Sequence, residues 1–287
     1  MSYRRRASPL HAARAAAALA YCLALGSAAL ILSGPLALAA LTAAILLAGV
    51  SAGVGRELFR AGRLALVLAL AIILINALVS RDGLTVIARL GDLPVLGHTD
   101  VTLEATAYGA ILGLRAIALI LCGALYTAAV DPDEVLRLFR RVSFHSALTA
   151  TLATRMVPIL VRDSRRFADA QRCRPGRPPS RIQVLRAATS GMLDRALDVA
   201  AALETRGYGA TRRPPRIRSP YSRHDLAFFV SALTLPVLAI AARGFGLAPI
   251  QAYPSFHAPV DIGAIALAAA LLTVALLPFA DRRGIER

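Results

Sequence analysis

The sequence predicts an all-α, polytopic membrane protein with about six transmembrane helices and a cytoplasmic insert between the fourth and fifth. Three observations predict it. Hydrophobic residues make up 57% of the 287 residues, with a mean hydropathy of +0.60, well above soluble usage. Apolar runs of about bilayer length recur along the chain. The 33 basic residues are all arginine and fall mostly between those runs.

Six apolar runs approach the length of about 20 residues that a helix needs to cross a bilayer. They lie at 15–32, 35–54, 64–80, 105–130, 226–242 and 261–280. The first two are separated only by "SGP" at 33–35, which predicts a tight turn and a hairpin; a single long re-entrant segment is the alternative. A cleaved signal peptide is an alternative for the first run, because arginines precede it. The hairpin that continues from it favours a retained helix.

Arginine placement predicts the orientation, because cytoplasmic loops carry an excess of positive residues. With the N-terminus inside, four, three, nineteen and three arginines are cytoplasmic in segments 1–14, 55–63, 131–225 and 281–287. Only Arg81, Arg89 and Arg243 then lie outside. Both termini are therefore predicted to be cytoplasmic.

The composition argues against several other classes of protein. Nucleic-acid binding needs a folded basic face with stacking aromatics, yet Trp is absent and the arginines are scattered. Cys22, Cys122 and Cys173 have neither metal-ligand nor disulfide-framework spacing. The five histidines are scattered and form no metalloprotease motif. No metal site and no catalytic centre is expected.

The insert of residues 131–225 is too long for a plain connector. Its first predicted helix covers about 132–142, with Asp131 as a cap, Pro132 at the first helical position and acids in the first turn. A second helix is predicted over about 147–173, containing Pro158 and stopped by Pro175 and Gly176.

A third helix is predicted over about 181–206, with Gly207 in the left-handed position that ends it. One narrow stripe suits this helix for packing on another helix. The stripe consists of Leu185, Thr189, Met192, Ala196, Val199 and Leu203.

The second and third predicted helices both end in arginine followed by a helix breaker. Taken singly, each arginine is explained by the helix dipole, worth a few tenths of a kcal/mol to about one. Two such helices in one insert favour docking, because a guanidinium at a rigid helix end can enter an acidic groove and bind a carboxylate bidentately.

These residues resemble a family, the transmembrane T components of energy-coupling factor (ECF) transporters, which include cobalt-uptake permease subunits. The resemblance spans about 104–208 and is most specific in "RALDVAAALETRGYG" at 195–209. The segments "DPDEVLRLF" and "TRMVPILVRDSRRFADAQRCR" precede it in the family's order. The resemblance implies a multi-pass protein of a prokaryotic plasma membrane.

In that family the arginine of each of two signatures docks into a groove on one of two ATPase subunits. The resemblance assigns Thr205, Arg206 and Gly207 to the second signature, with Arg206 as the docking residue.

The first signature is assigned to Cys173, Arg174 and Pro175, with Arg174 docking. Proline stands at 175, where the family usually has glycine. Arg172 is therefore an alternative docking residue.

The chain lacks the lysine that a phosphate-binding P-loop needs, so it cannot be its own Walker-type ATPase. No directly bound cofactor is expected. The resemblance implies that ATP acts through two partner ATPases, and that an integral S component binds the vitamin or transition metal. The sequence leaves the substrate open, and a self-contained permease is the alternative function.

Arg115 lies inside the fourth predicted span, where an isolated charge is costly and normally faces protein or water. Glu104 precedes it by eleven residues, about three helical turns, which puts both on one side of the helix. A structural pairing within the bundle is favoured over a transport site, with a neighbour needed between them.

Overall fold

A computed structural model of the chain describes residues 6–79, 85–93, 97–139, 144–173, 180–207, 222–246 and 261–281. The helices in these ranges are α1 (Pro9–Ala12), α2 (Ala15–Ile31), α3 (Pro35–Ser51), α4 (Gly55–Val79), α5 (Leu103–Ala129), α6 (Pro132–Phe139), α7 (Phe144–Arg172), α8 (Arg181–Thr205), α9 (Arg223–Gly244) and α10 (Ile262–Leu276). A 3₁₀ turn at Leu277–Phe279 continues α10, and two strands, β1 (Val86–Leu93) and β2 (Gly97–Thr102), precede α5. The chain forms two compact units. One, called the membrane unit below, consists of residues 1–135 with 221–287, and the other consists of residues 136–220.

The apolar helices confirm the predicted fold class of a polytopic helical membrane protein. Four of them have the length and composition needed to cross a bilayer: α4, α5, α9, and α10 with its 3₁₀ turn. Helices α2 and α3 have 17 residues each. At about 1.5 Å per residue they are about 26 Å long, shorter than the ~30 Å hydrocarbon core.

The connection between α2 and α3 is an extended link and not the tight turn that the sequence predicted. Leu32 and Gly34 both have extended backbone. For Gly34 the cause is Pro35, because the residue before a proline is driven out of the helical region. Helix α2 packs mainly on α9 and α5, whereas α3 packs on α10 and α5. The two helices are separate, so the alternative of one long segment is not what forms.

Helix α4 begins at Gly55, nine residues before the predicted start of the span at 64. Residues 55–63 carry three arginines, and this charge favoured a cytoplasmic loop over a helix. Charged side chains do not stop a helix when they reach water, and Glu57 suits the positive N-terminal end. The turn before α4 is made by Gly53, whose φ of 76° is left-handed.

Two glycines let α4 and α5 approach closely. A Cβ built at Gly109 would lie 3.1 Å from the Cα of Ile73, and one at Gly113 would lie 3.2 Å from the Cβ of Ala69. Glycines four residues apart lie on one helix face and allow close backbone contact in membranes. This contact holds the longest pair of helices in the membrane unit together.

The two strands were not predicted. They pair in antiparallel fashion, with Val86 opposite Thr102 and Leu93 opposite Gly97. No structure was assigned to this segment from the sequence, beyond counting Arg81 and Arg89 as outside. The β-branched residues Val86 and Thr102 at one end of the pair are a weak signal for strands.

Helix α2 is part of the core of the membrane unit. Tyr21 is fully buried, meets Phe228 and Phe279 edge to face, and donates a hydrogen bond of 2.8 Å to the carbonyl of Ala275. Removing α2 would leave the facing surfaces of α5, α9 and α10 without their packing partner. Helix α2 is thus an integral part of this packing, whereas the choice between a retained helix and a cleaved signal peptide stays a prediction.

The unit of residues 136–220 contains α7 and α8. Helix α7 is a single helix of 29 residues with Pro158 inside it, and it contacts α8. An ion pair of 2.9 Å joins Asp163 on α7 to Arg195 on α8. These two helices carry the residues of the candidate site.

Candidate functional site at the ends of two helices

The start of the insert is capped as the sequence predicted. The carboxylate of Asp131 accepts a hydrogen bond of 2.9 Å from the backbone N–H of Asp133. Pro132 is the first residue of α6, and Asp133 and Glu134 lie in its first turn. The predicted end of this helix at 142 lies outside the described residues.

Helix α7 ends at the first predicted signature. Arg172 is its last residue, and Cys173 follows with its N–H donating to the carbonyl of Asp169 at 3.2 Å. The guanidinium of Arg172 also lies 3.3 Å from the carboxylate of Asp169, one turn back. Cys173 is exposed, whereas Arg174 lies outside the described residues.

Helix α8 begins with a capping box that was not among the sequence predictions. Ser180 accepts a hydrogen bond from the N–H of Gln183, and the side chain of Gln183 accepts one from the N–H of Ser180. The spacing of serine and glutamine at i and i+3 is the known signal for this cap. The capping box fixes the residue at which α8 begins.

The second predicted signature forms the end of α8. Thr205 is the last helical residue, and its hydroxyl donates to the carbonyl of Ala202 at 3.0 Å. Gly207 adopts a left-handed φ of 74° and donates its N–H to the carbonyl of Glu204 at 2.9 Å. This confirms the predicted glycine ending. Arg206 lies between them as the C-cap, and its side chain is exposed.

The two docking candidates that the structure describes differ in what they bind. Arg172 pairs with Asp169, but both side chains are more than 70% exposed, so the pair is worth little and opens readily. Arg206 has no acidic partner within the described part of the chain. Its planar guanidinium is thus available for a partner at the end of the helix.

The stripe predicted for α8 is only partly a packing surface. Met192, Val199 and Leu203 are half-buried, whereas Leu185, Thr189 and Ala196 are exposed. Burial on α8 centres instead on Ala188, which is 1% exposed. The spacing identified an amphipathic helix correctly but placed the contact face to one side of where it lies.

The exposed side of α8 is apolar for much of its length. Four large side chains lie there at positions that a helical repeat of 100° per residue puts on one face. They are Ile182, Leu185, Leu193 and Leu197, each more than half exposed. An apolar face in a segment this rich in arginine is typical of a surface completed by another molecule.

The two intramembrane charges have separate partners and do not pair with each other. Arg115 donates a hydrogen bond of 2.8 Å to the carbonyl of Leu32, at the link between α2 and α3. Glu104 is 2% exposed and accepts hydrogen bonds from the backbone N–H and the hydroxyl of Thr85. Each charge therefore has a hydrogen-bond partner within the same unit, and the predicted pairing of the two through a neighbour is not what forms.

Two cavities among the described residues are each too small for a vitamin. These cavities, of about 40 and 10 Å³, lie at the two ends of α2, against several hundred Å³ for a typical small-molecule pocket. Within the described part of the chain no three His, Cys, Asp or Glu side chains cluster as metal ligands. The features that stand out are the two helix ends and the exposed face of α8.

A search of curated proteins found no match to this chain. A family model does match it, under the description "CbiQ: Cobalt transport protein", over residues 6–216. The matched segment covers most of the chain and includes α1 to α8. The chain therefore belongs to the CbiQ family of cobalt transport proteins.

Proposed function

We propose that this chain is the transmembrane coupling subunit, or T component, of an ECF-type ABC importer. It transmits ATP-driven motion from two separate ATPase subunits to an S component for vitamin or transition-metal uptake. One observation carries the proposal: the long helix α8, in a compact unit of its own, ends in an exposed arginine that no acid in the described residues pairs with. The family makes cobalt the first cargo to test.

Arg206 is the docking residue at the end of α8. Gly207 follows it with a left-handed φ that ends α8, so the guanidinium lies at the very end of the helix. A carboxylate at the bottom of a groove on an ATPase can accept two parallel hydrogen bonds from it. Thr205 and Gly207 fix its position by ending the helix.

Either Arg172 or Arg174 fills the same role at the end of α7. Arg172 can exchange its exposed partner Asp169 for a carboxylate on the second ATPase, because an exposed ion pair contributes about 0 to 1 kcal/mol. Cys173 belongs to this signature by its position. Two helix ends then serve two ATPases, one each.

ATP binding and hydrolysis belong to the partner subunits in this proposal. The chain contains no lysine for a P-loop, so ATP acts on it only through docking, and the chain itself is non-catalytic. The cargo is bound by the S component, also an integral membrane protein. The exposed face of α8 is a surface on which such partners can rest.

Motion passes along α7 and α8 as a pair. The two helices pack on each other, and the ion pair between Asp163 and Arg195 joins them near their middle, so displacement of one helix is expected to move the other. In the proposed cycle, ATP binding closes the ATPases, tilts this pair and reorients the S component. The arginine distribution predicts that both chain termini and residues 131–225 are cytoplasmic, which is the side of the proposed ATPases.

The test is co-purification of the tagged chain from its native host in mild detergent, followed by identification of P-loop ATPases. Arg206→Glu reverses the docking charge, and Arg165→Glu makes the same change at an exposed position within α7, away from its end. We expect wild type and Arg165→Glu to retain the ATPases and Arg206→Glu to lose them at least about tenfold. Retention by Arg206→Glu, or no ATPase with wild type, contradicts the proposal and favours a self-contained permease.

A further inference from the structure

The chain passes between its two compact units twice, after residue 135 and before residue 221. On the membrane side, each crossing lies next to a carboxylate in the first turn of a helix. Glu134 is in the first turn of α6, and Asp225 is in the first turn of α9. Both carboxylates belong to the membrane unit.

The start of α2 lies between these carboxylates. No side chain of its own caps α2, although the first N–H groups of a helix need acceptors. The backbone N–H of Arg14 donates to Oδ1 of Asp225 at 2.7 Å, and that of Ala15 donates to Oε2 of Glu134 at 3.4 Å. Two consecutive N–H groups are thus satisfied by two helices that are distant in sequence.

Asp225 is the stronger of the two attachments. It is 1% exposed, and both of its oxygens are occupied. Oδ1 takes the N–H of Arg14, while Oδ2 takes the N–H of Ser222 at 2.9 Å and lies 3.3 Å from Nε of Arg14. A buried carboxylate with this many partners holds its neighbours in one arrangement.

We propose that Arg14, Ala15, Glu134 and Asp225 form a clasp that fixes both crossing points to the start of α2. Motion of residues 136–220 then reaches α2 and α9 together and is not lost in the two connections. A side-chain cap of its own would satisfy the start of α2 without joining it to α6 and α9. Here a single short segment binds both, which is what transmission to the membrane helices needs. The transport consequence rests on the proposed coupling function, whereas the mechanical role does not.

Arg14→Gln removes the side-chain arm of the clasp, and Glu134→Ala removes the second carboxylate. Arg6→Gln is the matched control. Arg6 has the same charge, lies in the same N-terminal segment and forms an ion pair of 2.6 Å with Glu57, but that pair touches neither crossing. All three variants leave Asp225 in place to cap α9.

The first readout is the distance between spin labels in the two units of the purified chain. One label is placed on the exposed Cys173 and the other on Phe59→Cys, an exposed position of α4; the buried Cys22 and Cys122 resist labelling. We expect a broader distance distribution in Arg14→Gln and Glu134→Ala, and a wild-type distribution in Arg6→Gln. A distribution in Arg14→Gln as narrow as in wild type overturns the clasp, as does equal broadening in Arg6→Gln.

The second readout separates this inference from the proposed function. In vesicles with the co-purified partners, we expect Arg14→Gln to bind the ATPases but to take up at least about fivefold less cargo per ATP hydrolysed. Unchanged uptake per ATP in an assembled Arg14→Gln complex overturns the clasp. Absence of the ATPases from the wild-type complex instead contradicts the proposed function, and the spin-label distances then decide on the clasp alone.

Discussion

The membrane unit and the unit of residues 136–220 satisfy their side chains in opposite ways. In the membrane unit, Tyr21, Arg115 and Glu104 each reach a partner on another segment of the same unit. In the other unit, Arg206 and the apolar face around Leu193 are exposed to solvent. These three side chains of the first unit have their partners within it, whereas the second unit has surfaces that are still available for contact.

This difference shows where the chain is built for stability and where it is built for association. Two helices cannot enclose a core between them, because each buries only one stripe against the other. Large side chains such as Ile182, which is 72% exposed, remain uncovered. Substitutions should therefore change folding in the membrane unit and binding in the other.

The largest expected effect is on the close contact of α4 and α5. Gly109→Leu would force a side chain against the Cα of Ile73, only 3.1 Å from where its Cβ would lie. We expect a loss of about 3 kcal/mol in stability, seen as a lower melting temperature and a poor yield of monodisperse protein in detergent. Gly123→Leu on the same helix meets nothing within 4 Å and should melt like wild type. If both variants melt alike, the membrane unit is not closely packed there.

A smaller loss is expected from the buried hydroxyl of Tyr21. Tyr21→Phe leaves the carbonyl of Ala275 without its 2.8 Å hydrogen bond. Because that carbonyl is buried away from water, the cost should be about 1 to 2 kcal/mol. Tyr126→Phe on α5 is the control, and thermal unfolding in detergent measures both. An unchanged melting temperature for Tyr21→Phe would contradict the buried contact.

The same substitution at two glycines of the other unit should have opposite effects. Gly207→Ala puts a side chain on a residue with φ of 74°, which costs about 1 kcal/mol and loosens the end of α8. Gly191→Ala, inside α8 with open space around it, should strengthen the helix by about 0.5 to 1 kcal/mol. Helix content by circular dichroism and the rate of proteolysis in residues 180–207 distinguish the two. Loss of stability in both variants would mean that α8 is packed more tightly than its exposure indicates.

Features set by neighbouring residues could be predicted from the sequence. The cap by Asp131, the glycine ending at Gly207 and the ends of α7 and α8 depend on residues only a few positions apart. Apolar run length likewise gave the membrane helices to within a few residues, except where charged residues extend α4.

Features that join distant segments could not be predicted in this way. Asp225 accepts a hydrogen bond from Arg14, which is 211 positions away in the sequence. Arg115 binds a backbone carbonyl, and because every residue has one, no residue type in the sequence identifies which carbonyl it will be. The spacing in α8 indicated an amphipathic helix, but which side faces α7 depends on α7 as well. The helix ends that carry the candidate site could be predicted because they depend on neighbouring residues. The clasp could not, because its residues are far apart in the sequence.

The smallest expected effect concerns the ion pair that joins α7 to α8. Arg195→Gln removes the 2.9 Å contact with Asp163, but Arg195 is 44% exposed and the pair is screened by water. We expect a change in unfolding free energy of no more than about 0.5 kcal/mol. If this ion pair helps α7 and α8 to move as one body during transport, Arg195→Gln should lower cargo uptake per ATP while leaving the melting temperature unchanged. Arg165→Gln on α7, an exposed arginine with no ion pair among the described residues, should change neither quantity. A large fall in melting temperature for Arg195→Gln would instead place this pair with the contacts that hold the membrane unit together.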